Sequence, residues 1–62
     1  MKVKLVYKTK DNKFYGTTNT ITIKKAKELT KKLLIENTTI IEIYLKVWNG
    51  WHWKRCKTLY KK

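Results

Sequence analysis

One stretch of the chain decides the fold, TTIIEIYLKVW-NG-WHWKRCKTLY at residues 38–60. Two runs rich in β-branched and aromatic residues flank the dipeptide Asn49-Gly50. Because Asn and Gly both accept positive φ angles, this dipeptide between two such runs is the strongest short-range signal for a two-residue hairpin turn. The stretch therefore predicts an antiparallel pair of strands, residues 38–48 and 51–60, in which Trp48 faces Trp51.

The residues before this hairpin carry the pattern of an amphipathic helix that ends at Ile35 or Glu36. Thr22 is placed to cap its first turn, because a threonine hydroxyl accepts from a free backbone N–H there. One stripe at helical spacing consists of Ile23, Ala26, Leu29, Thr30, Leu33 and Leu34. The opposite face carries Lys24, Lys25, Glu28, Lys31 and Lys32. Asn37 is expected to adopt a left-handed backbone conformation and so to terminate the helix.

The N-terminal part of the chain predicts a second hairpin. Residues 2–9 alternate, with Val3, Leu5 and Tyr7 on one face and mostly lysines on the other. Residues 10–13 form a polar turn, since Asp and Asn tolerate tight turns. Residues 14–21 then predict a threonine-rich strand that Gly16 weakens or interrupts with a bulge.

Together these elements predict one α+β domain over residues 1–62 with the order β-β-α-β-β. The simplest arrangement is a four-stranded antiparallel sheet in the strand order 2-1-3-4, because this order puts the two most apolar strands in the middle. The helix packs on one face of the sheet. Its stripe is expected to cover Val3, Leu5, Ile41, Ile43, Leu45 and Val47.

The composition excludes several classes of protein. The 62 residues carry a formal net charge of +12, and 42% of them are apolar, which is too rich for a disordered basic tail. A chain this short has no room for a cofactor cavity beside its core. Its four acidic residues are spread out, and one Cys with one His makes neither a disulfide nor a zinc site. We therefore expect no cofactor, no metal and no catalytic residue.

Two further expectations concern the setting of the protein. A single thiol fits a reducing, cytoplasmic environment better than a secreted one. The chain also has no apolar run long enough for a signal peptide or a membrane span.

One helix covers only one sheet face, so the alternation indicates what lies on the other. With a two-residue turn, Trp48 faces Trp51, Lys46 faces Trp53, Tyr44 faces Arg55 and Glu42 faces Lys57, all away from the helix. Cys56 then points to the helix side, and His52 and Lys54 lie on that side at the sheet edge. The candidate binding residues are Lys4, Lys8, Tyr44, Lys46, Trp48, Trp51, Trp53, Arg55 and Lys57.

Cationic side chains interleaved with aromatic rings predict a non-enzymatic nucleic-acid-binding protein, because cations contact phosphates and rings stack on unpaired bases. DNA and RNA both fit this pattern. The alternative is a protein that binds and modulates an acidic host protein through the same Trp, Arg and Lys residues. Exposed sheet edges also allow a homodimer.

Three other interpretations stay open. In the first, the Trp residues only stabilise the hairpin by cross-strand packing and bind no ligand. In the second, a three-residue loop with a bulge turns Trp51 and Trp53 toward the helix, at the cost of burying Arg55 and Lys57. In the third, His52 acts as a general acid or base of a small ribonuclease with several lysines, although the sequence places no second acid–base residue where it would indicate such a site.

The overall pattern resembles small β-β-α-β-β proteins of bacteriophages and other mobile elements. The similar features are the opening VKLVY at residues 3–7, the threonine-rich second strand, the capped helix TIKKAKEL at residues 22–29, and the closing hairpin Trp48-Asn49-Gly50-Trp51. Some proteins of this kind modulate host enzymes, and the resemblance implies no catalytic motif. The Lys-rich first strand is also similar to small basic chromatin proteins of thermophilic archaea, but the central helix argues against that family.

Overall fold

The computed structural model of the chain describes residues 2–62 and has one helix against an antiparallel sheet. The strands are β1 (Lys2–Thr9), β2 (Phe14–Gly16), β3 (Ile21–Thr22), β4 (Ile40–Trp48) and β5 (Trp53–Lys61), and the helix α1 spans Ile23–Glu36. The sheet order is β2-β1-β4-β5, with β3 also paired to β1. The predicted α+β class, with one helix and an antiparallel sheet, is therefore confirmed.

The predicted count of four strands is wrong, because the second strand is interrupted after Gly16. A Cβ atom at Gly16 would lie 2.6 Å from the carbonyl oxygen of Leu5, so the two backbones approach more closely than any side chain allows. Thr17 donates its N–H to that oxygen (3.0 Å), and its hydroxyl accepts from Leu5 N–H (3.2 Å). The chain then leaves β1 and returns as β3, opposite Lys2 and Val3.

The helix begins where the sequence predicts. The Thr22 hydroxyl accepts from the N–H of Lys25 at 3.2 Å. Asn37 ends the helix but is not left-handed as predicted: its backbone is extended, with φ −133°, and its N–H donates to the carbonyl of Leu33 at 2.8 Å. Its side-chain oxygen accepts from the N–H of Thr39 at 3.0 Å, so Asn37 acts through its side chain.

The core lies between α1 and the two central strands. Its fully buried members are Val3, Leu5, Ala26, Ile40, Ile43 and Leu45. Ile40 therefore occupies the helix-side position that the sequence assigns to Ile41. The cause is a register shift: Lys8 pairs with Glu42, but the next residue, Thr9, pairs with Ile40, which leaves Ile41 as an extra residue in β4.

The second hairpin closes through four residues rather than two. Trp48 pairs with Trp53, and residues 49–52 form the loop. The side-chain oxygen of Asn49 accepts from the N–H groups of Trp51 and His52, both at 2.9 Å, and Gly50 has a φ of 99°. The pairing of Trp48 with Trp51 is therefore wrong, because Asn49 organises the loop with its side chain instead of a left-handed backbone.

Two further register shifts occur between β4 and β5. Lys46 pairs with Arg55 but Leu45 with Lys57, and Tyr44 pairs with Thr58 but Ile43 with Tyr60. Each shift inserts one extra residue into β5 and changes which face the following residues occupy. The side-chain alternation of β5 therefore cannot be extrapolated from its first residues.

Candidate nucleic-acid interface

The sheet face away from α1, called the open face below, carries a row of three cations. Lys4 on β1 pairs with Lys46 on β4, and Lys46 pairs with Arg55 on β5. Like charges directly opposite each other on one face of a sheet repel and destabilise it. The row therefore places three cationic side chains across three neighbouring strands. Because Arg55 is ion-paired with Glu42, the repulsion is concentrated between Lys4 and Lys46, and an anion placed there would relieve it.

Two tryptophan rings lie beside this cationic row. Trp48 and Trp53 close the second hairpin, with ring centroids 5.8 Å apart and planes inclined at 58°. The Nζ atom of Lys4 lies 4.6 Å from the centroid of the Trp53 ring. Trp48 remains 55% exposed, so the pair offers aromatic surface to solvent next to ammonium groups. This pair is called the Trp station below.

Arg55 lies on the edge strand β5, and its guanidinium is held by three neighbours. It lies 4.3 Å from the centroid of the Tyr44 ring, and its Nη2 donates to a carboxylate oxygen of Glu42 and to the hydroxyl of Thr58, the latter at 2.8 Å. The hydrogen bond from Arg55 is the main reason that the pKa of Glu42 lies below its ordinary value.

This arrangement changes the roles of two residues. Tyr44 is a predicted stacking residue, but it is only 8% exposed and lies under Arg55, so its ring has no free face for a base. Within residues 2–62, Glu42 is the one acidic residue whose strand position places it on the open face. Because Arg55 binds its carboxylate, the rest of the face keeps an excess of positive charge.

A further aromatic residue, Phe14, lies at the other end of the open face and is not among the residues predicted from the sequence. Phe14 on β2 pairs with Lys8 on β1, and the Lys8 Nζ lies 5.5 Å from the centroid of the Phe14 ring. Phe14 is 58% exposed. Counting outward from the polar turn at residues 10–13 would have paired Phe14 with Thr9, on the helix side. The structure pairs Phe14 with Lys8, because the connection is one residue longer than this count, so no local signal identified Phe14. Phe14 with Lys8 is called the Phe station below.

The remaining predicted residues lie elsewhere. Trp51 is in the hairpin loop and is 87% exposed, separate from the Trp station. Lys57 pairs with Leu45, not Glu42, and lines a groove of about 400 Å³ on the helix side with Lys27 and Lys31. Its predicted position on the open face is wrong, because the register shift at Cys56 moves it to the other face.

Three helix-side predictions for the second hairpin have mixed outcomes. Cys56 is exposed and does not pack against the helix as predicted. His52 belongs to the loop, not to a strand. Lys54 pairs with Val47 and is exposed, which agrees with a helix-side position at the sheet edge whose charged tip reaches water.

The open face thus has the means to bind a polyanion that also carries flat rings. Among residues 2–62, His, Cys, Asp and Glu side chains form no cluster of three or more that could hold a metal ion. Within the same range, no helix is long and apolar enough to cross a membrane. Comparisons with protein-family models, with curated proteins and with solved structures give no match.

Proposed function

We propose that this protein binds nucleic acid, without catalysis, through the open face of its sheet. The observation that carries the proposal is the row Lys4–Lys46–Arg55 beside the Trp station. A small domain has little stability to spare, and the facing pair Lys4–Lys46, to which the Arg55–Glu42 ion pair gives no acidic partner, costs part of it. A polyanionic ligand is the simplest reason to keep such a row.

The proposed contacts divide into two kinds. Lys4, Lys8, Lys46 and Arg55 contact phosphates, and each contact releases condensed counterions. Trp48 and Trp53 supply stacking surface for unpaired bases, which is worth about 1–3 kcal/mol per base. Trp51 stacks on a base only if the ligand is long enough to reach the hairpin loop. Tyr44 and Lys57 are left out, since one is covered by Arg55 and the other lies on the helix side.

The test compares the charge-removing variant Lys46→Gln with Lys25→Gln, a matched change on the exposed surface of α1. Binding of a labelled oligonucleotide is measured at several salt concentrations. Lys46→Gln should weaken binding and reduce the slope of log K against log [salt] by about 0.7–0.9, the value for one lost phosphate contact. Lys25→Gln should leave the slope unchanged.

The same variant gives a second, independent readout. Removing the Lys46 charge relieves its repulsion with Lys4, so Lys46→Gln should keep or raise the denaturant midpoint of unfolding while it weakens binding. Lys25 does not belong to this row, so Lys25→Gln should not raise the denaturant midpoint in this way. Equal binding and equal salt slopes for both variants would contradict the proposal.

A second candidate function is favoured by one observation, the 87% exposure of Trp51 at the hairpin loop. An indole presented in this way suits a hot spot for an acidic protein partner, as in a mobile-element protein that modulates a host enzyme. Nuclease-treated pull-downs with wild type and Trp51→Ala distinguish the two functions. An acidic protein that survives nuclease treatment and is lost with Trp51→Ala would favour this second function.

A further inference from the structure

The open face carries aromatic surface at both of its ends, not only beside the hairpin loop. The Phe station lies in the row of Glu42, since Lys8 pairs with both Phe14 and Glu42. The Trp station lies at Trp48, six residues further along β4. At about 3.4 Å per residue along a strand and about 4.8 Å between neighbouring strands, Phe14 and Trp48 are roughly 20 Å apart along the strands and about 10 Å across them, or about 22 Å in all.

Cations lie at both stations, and Arg55 reaches from the Trp-station side over Tyr44 between them. Lys8 sits over Phe14 at one end, and Lys4 sits over Trp53 at the other. The row Lys4–Lys46–Arg55 crosses the face beside the Trp station. A ligand that uses the whole face therefore needs negative charges along its length and flat rings at two separated points.

We infer that the open face binds a single-stranded nucleic acid about seven to eight nucleotides long, with one base stacked at the Trp station and another on Phe14. The inference rests on the proposed function and adds the class of ligand, its length and a further binding residue. The length follows from the separation of about 22 Å, which is about six to seven steps of roughly 3.4 Å between stacked nucleotides, with one base at each end. A more extended strand would span the stations with fewer nucleotides.

The aromatic stations explain why the ligand is a single strand. In a duplex the faces of the bases are stacked on each other and hidden, so only phosphates, sugars and base edges remain for contact. An exposed phenyl ring beside a lysine gains nothing from such a surface. Unpaired bases offer a π-face to any ring, and the gain tolerates different sequences.

Tyr15 supplies a matched control for Phe14. It is the next residue on β2, is also exposed, and points to the other side of the sheet, where its ring stacks on Tyr7 at 5.4 Å between centroids. Phe14→Leu and Tyr15→Leu therefore remove similar rings from the same strand on opposite faces. Denaturant midpoints of both variants show whether each is folded.

The experiment measures the affinity of labelled oligothymidylates of about two, four, six, eight and ten nucleotides at low salt, with a duplex of equal length as competitor. For the wild type, affinity should rise with length up to about eight nucleotides and then level off. Single strands should compete better than the duplex. Phe14→Leu should lower the affinity for the octamer about fivefold or more, the smallest effect of one lost stacked base, and leave the dinucleotide unaffected. Tyr15→Leu should change neither.

The outcomes separate this inference from the proposed function. If the wild type binds with a steep salt slope but does not prefer single strands, or if Phe14→Leu and Tyr15→Leu behave alike, the inference is overturned and nucleic-acid binding stands. An affinity already maximal for the dinucleotide would also overturn it. If no oligonucleotide binds at low salt, the proposed function itself fails.

Discussion

Arg55 lies across the ring of Tyr44, with its guanidinium carbon 4.3 Å from the ring centroid, and the same guanidinium donates to Glu42. The side chain of Arg55 is nevertheless about half exposed. A cation held in this way has already lost much of its rotational freedom before a ligand arrives. Because Nη2 is taken by Glu42 and Thr58, a phosphate at this point would be met by the other guanidinium N–H groups, at a smaller cost in side-chain entropy than binding by a free surface lysine.

Replacing Arg55 by lysine should show how much the flat guanidinium contributes to stability. Arg55→Lys keeps the charge but loses the stacked contact with Tyr44, which is worth about 0.5–1 kcal/mol at an exposed site. The denaturant midpoint should fall accordingly. Lys54→Arg, an exchange of the same two residue types at the exposed neighbouring position, should leave it unchanged. Equal midpoints for the two variants would mean that the stacked contact is energetically neutral.

The stability of the domain should also depend on the charge of Glu42. Arg55 lowers the pKa of this carboxyl in the folded state, so the unfolded state binds its proton first as the pH falls. The stabilising contribution is therefore complete above the unfolded pKa of about 4.3 and is lost as the pH drops through the lower folded value.

Unfolding curves between pH 7 and pH 2 measure this contribution. Wild type should be more stable than Glu42→Gln at pH 7, and the difference should shrink as the pH falls below about 4.3. Glu28→Gln, on the exposed surface of α1, is the control and should differ little from wild type throughout. A difference between wild type and Glu42→Gln that stays constant with pH would contradict the role of Arg55 in lowering the pKa.

The features that could be predicted from the sequence are those that local periodicity and capping determine. Thr22 caps the helix as expected, and the alternation of Val3 and Leu5 correctly assigns the inner face of β1. These signals are local, because a strand alternates every second residue and a capping hydroxyl reaches only the first turn.

The pairing of β5 could not be predicted, because it depends on choices that local sequence leaves open. Asn49 could adopt a left-handed backbone in a two-residue turn, or its side chain could accept hydrogen bonds in a longer loop. In the structure its side chain accepts hydrogen bonds in the longer loop. A two-residue difference in loop length preserves the alternation, so Trp53 and Arg55 still lie on the open face. The later shift at Cys56 does not preserve it, and Lys57 changes sides.

Asn49 should be the residue on which the four-residue loop depends. Asn49→Ala removes the acceptor for the N–H groups of Trp51 and His52, which should lower the free energy of unfolding by about 1 kcal/mol. Chemical denaturation measures the change. Asn19→Ala, in the exposed connection between β2 and β3, is the control and should fall within about 0.5 kcal/mol of wild type. Similar losses for both variants would show that the Asn49 side chain does not hold the loop.

Gly16 should be required because β2 and β1 approach too closely for any side chain. The nearest atom to an added Cβ is the Leu5 carbonyl oxygen, which is backbone and cannot turn aside as a side chain can. Gly16→Ala should therefore separate the strands, weaken the bonds between Leu5 and Thr17, and cost about 1–3 kcal/mol, as overpacking does.

Denaturant midpoints of Gly16→Ala and of Thr18→Ala, an exposed position two residues further on, test this requirement. Thr18→Ala should change the free energy of unfolding by less than about 0.5 kcal/mol. Because Phe14 is held on the open face by the same short strand, Gly16→Ala should also weaken binding of long single-stranded oligonucleotides more than binding of dinucleotides. Wild-type stability of Gly16→Ala would mean that the two backbones can move apart at no cost.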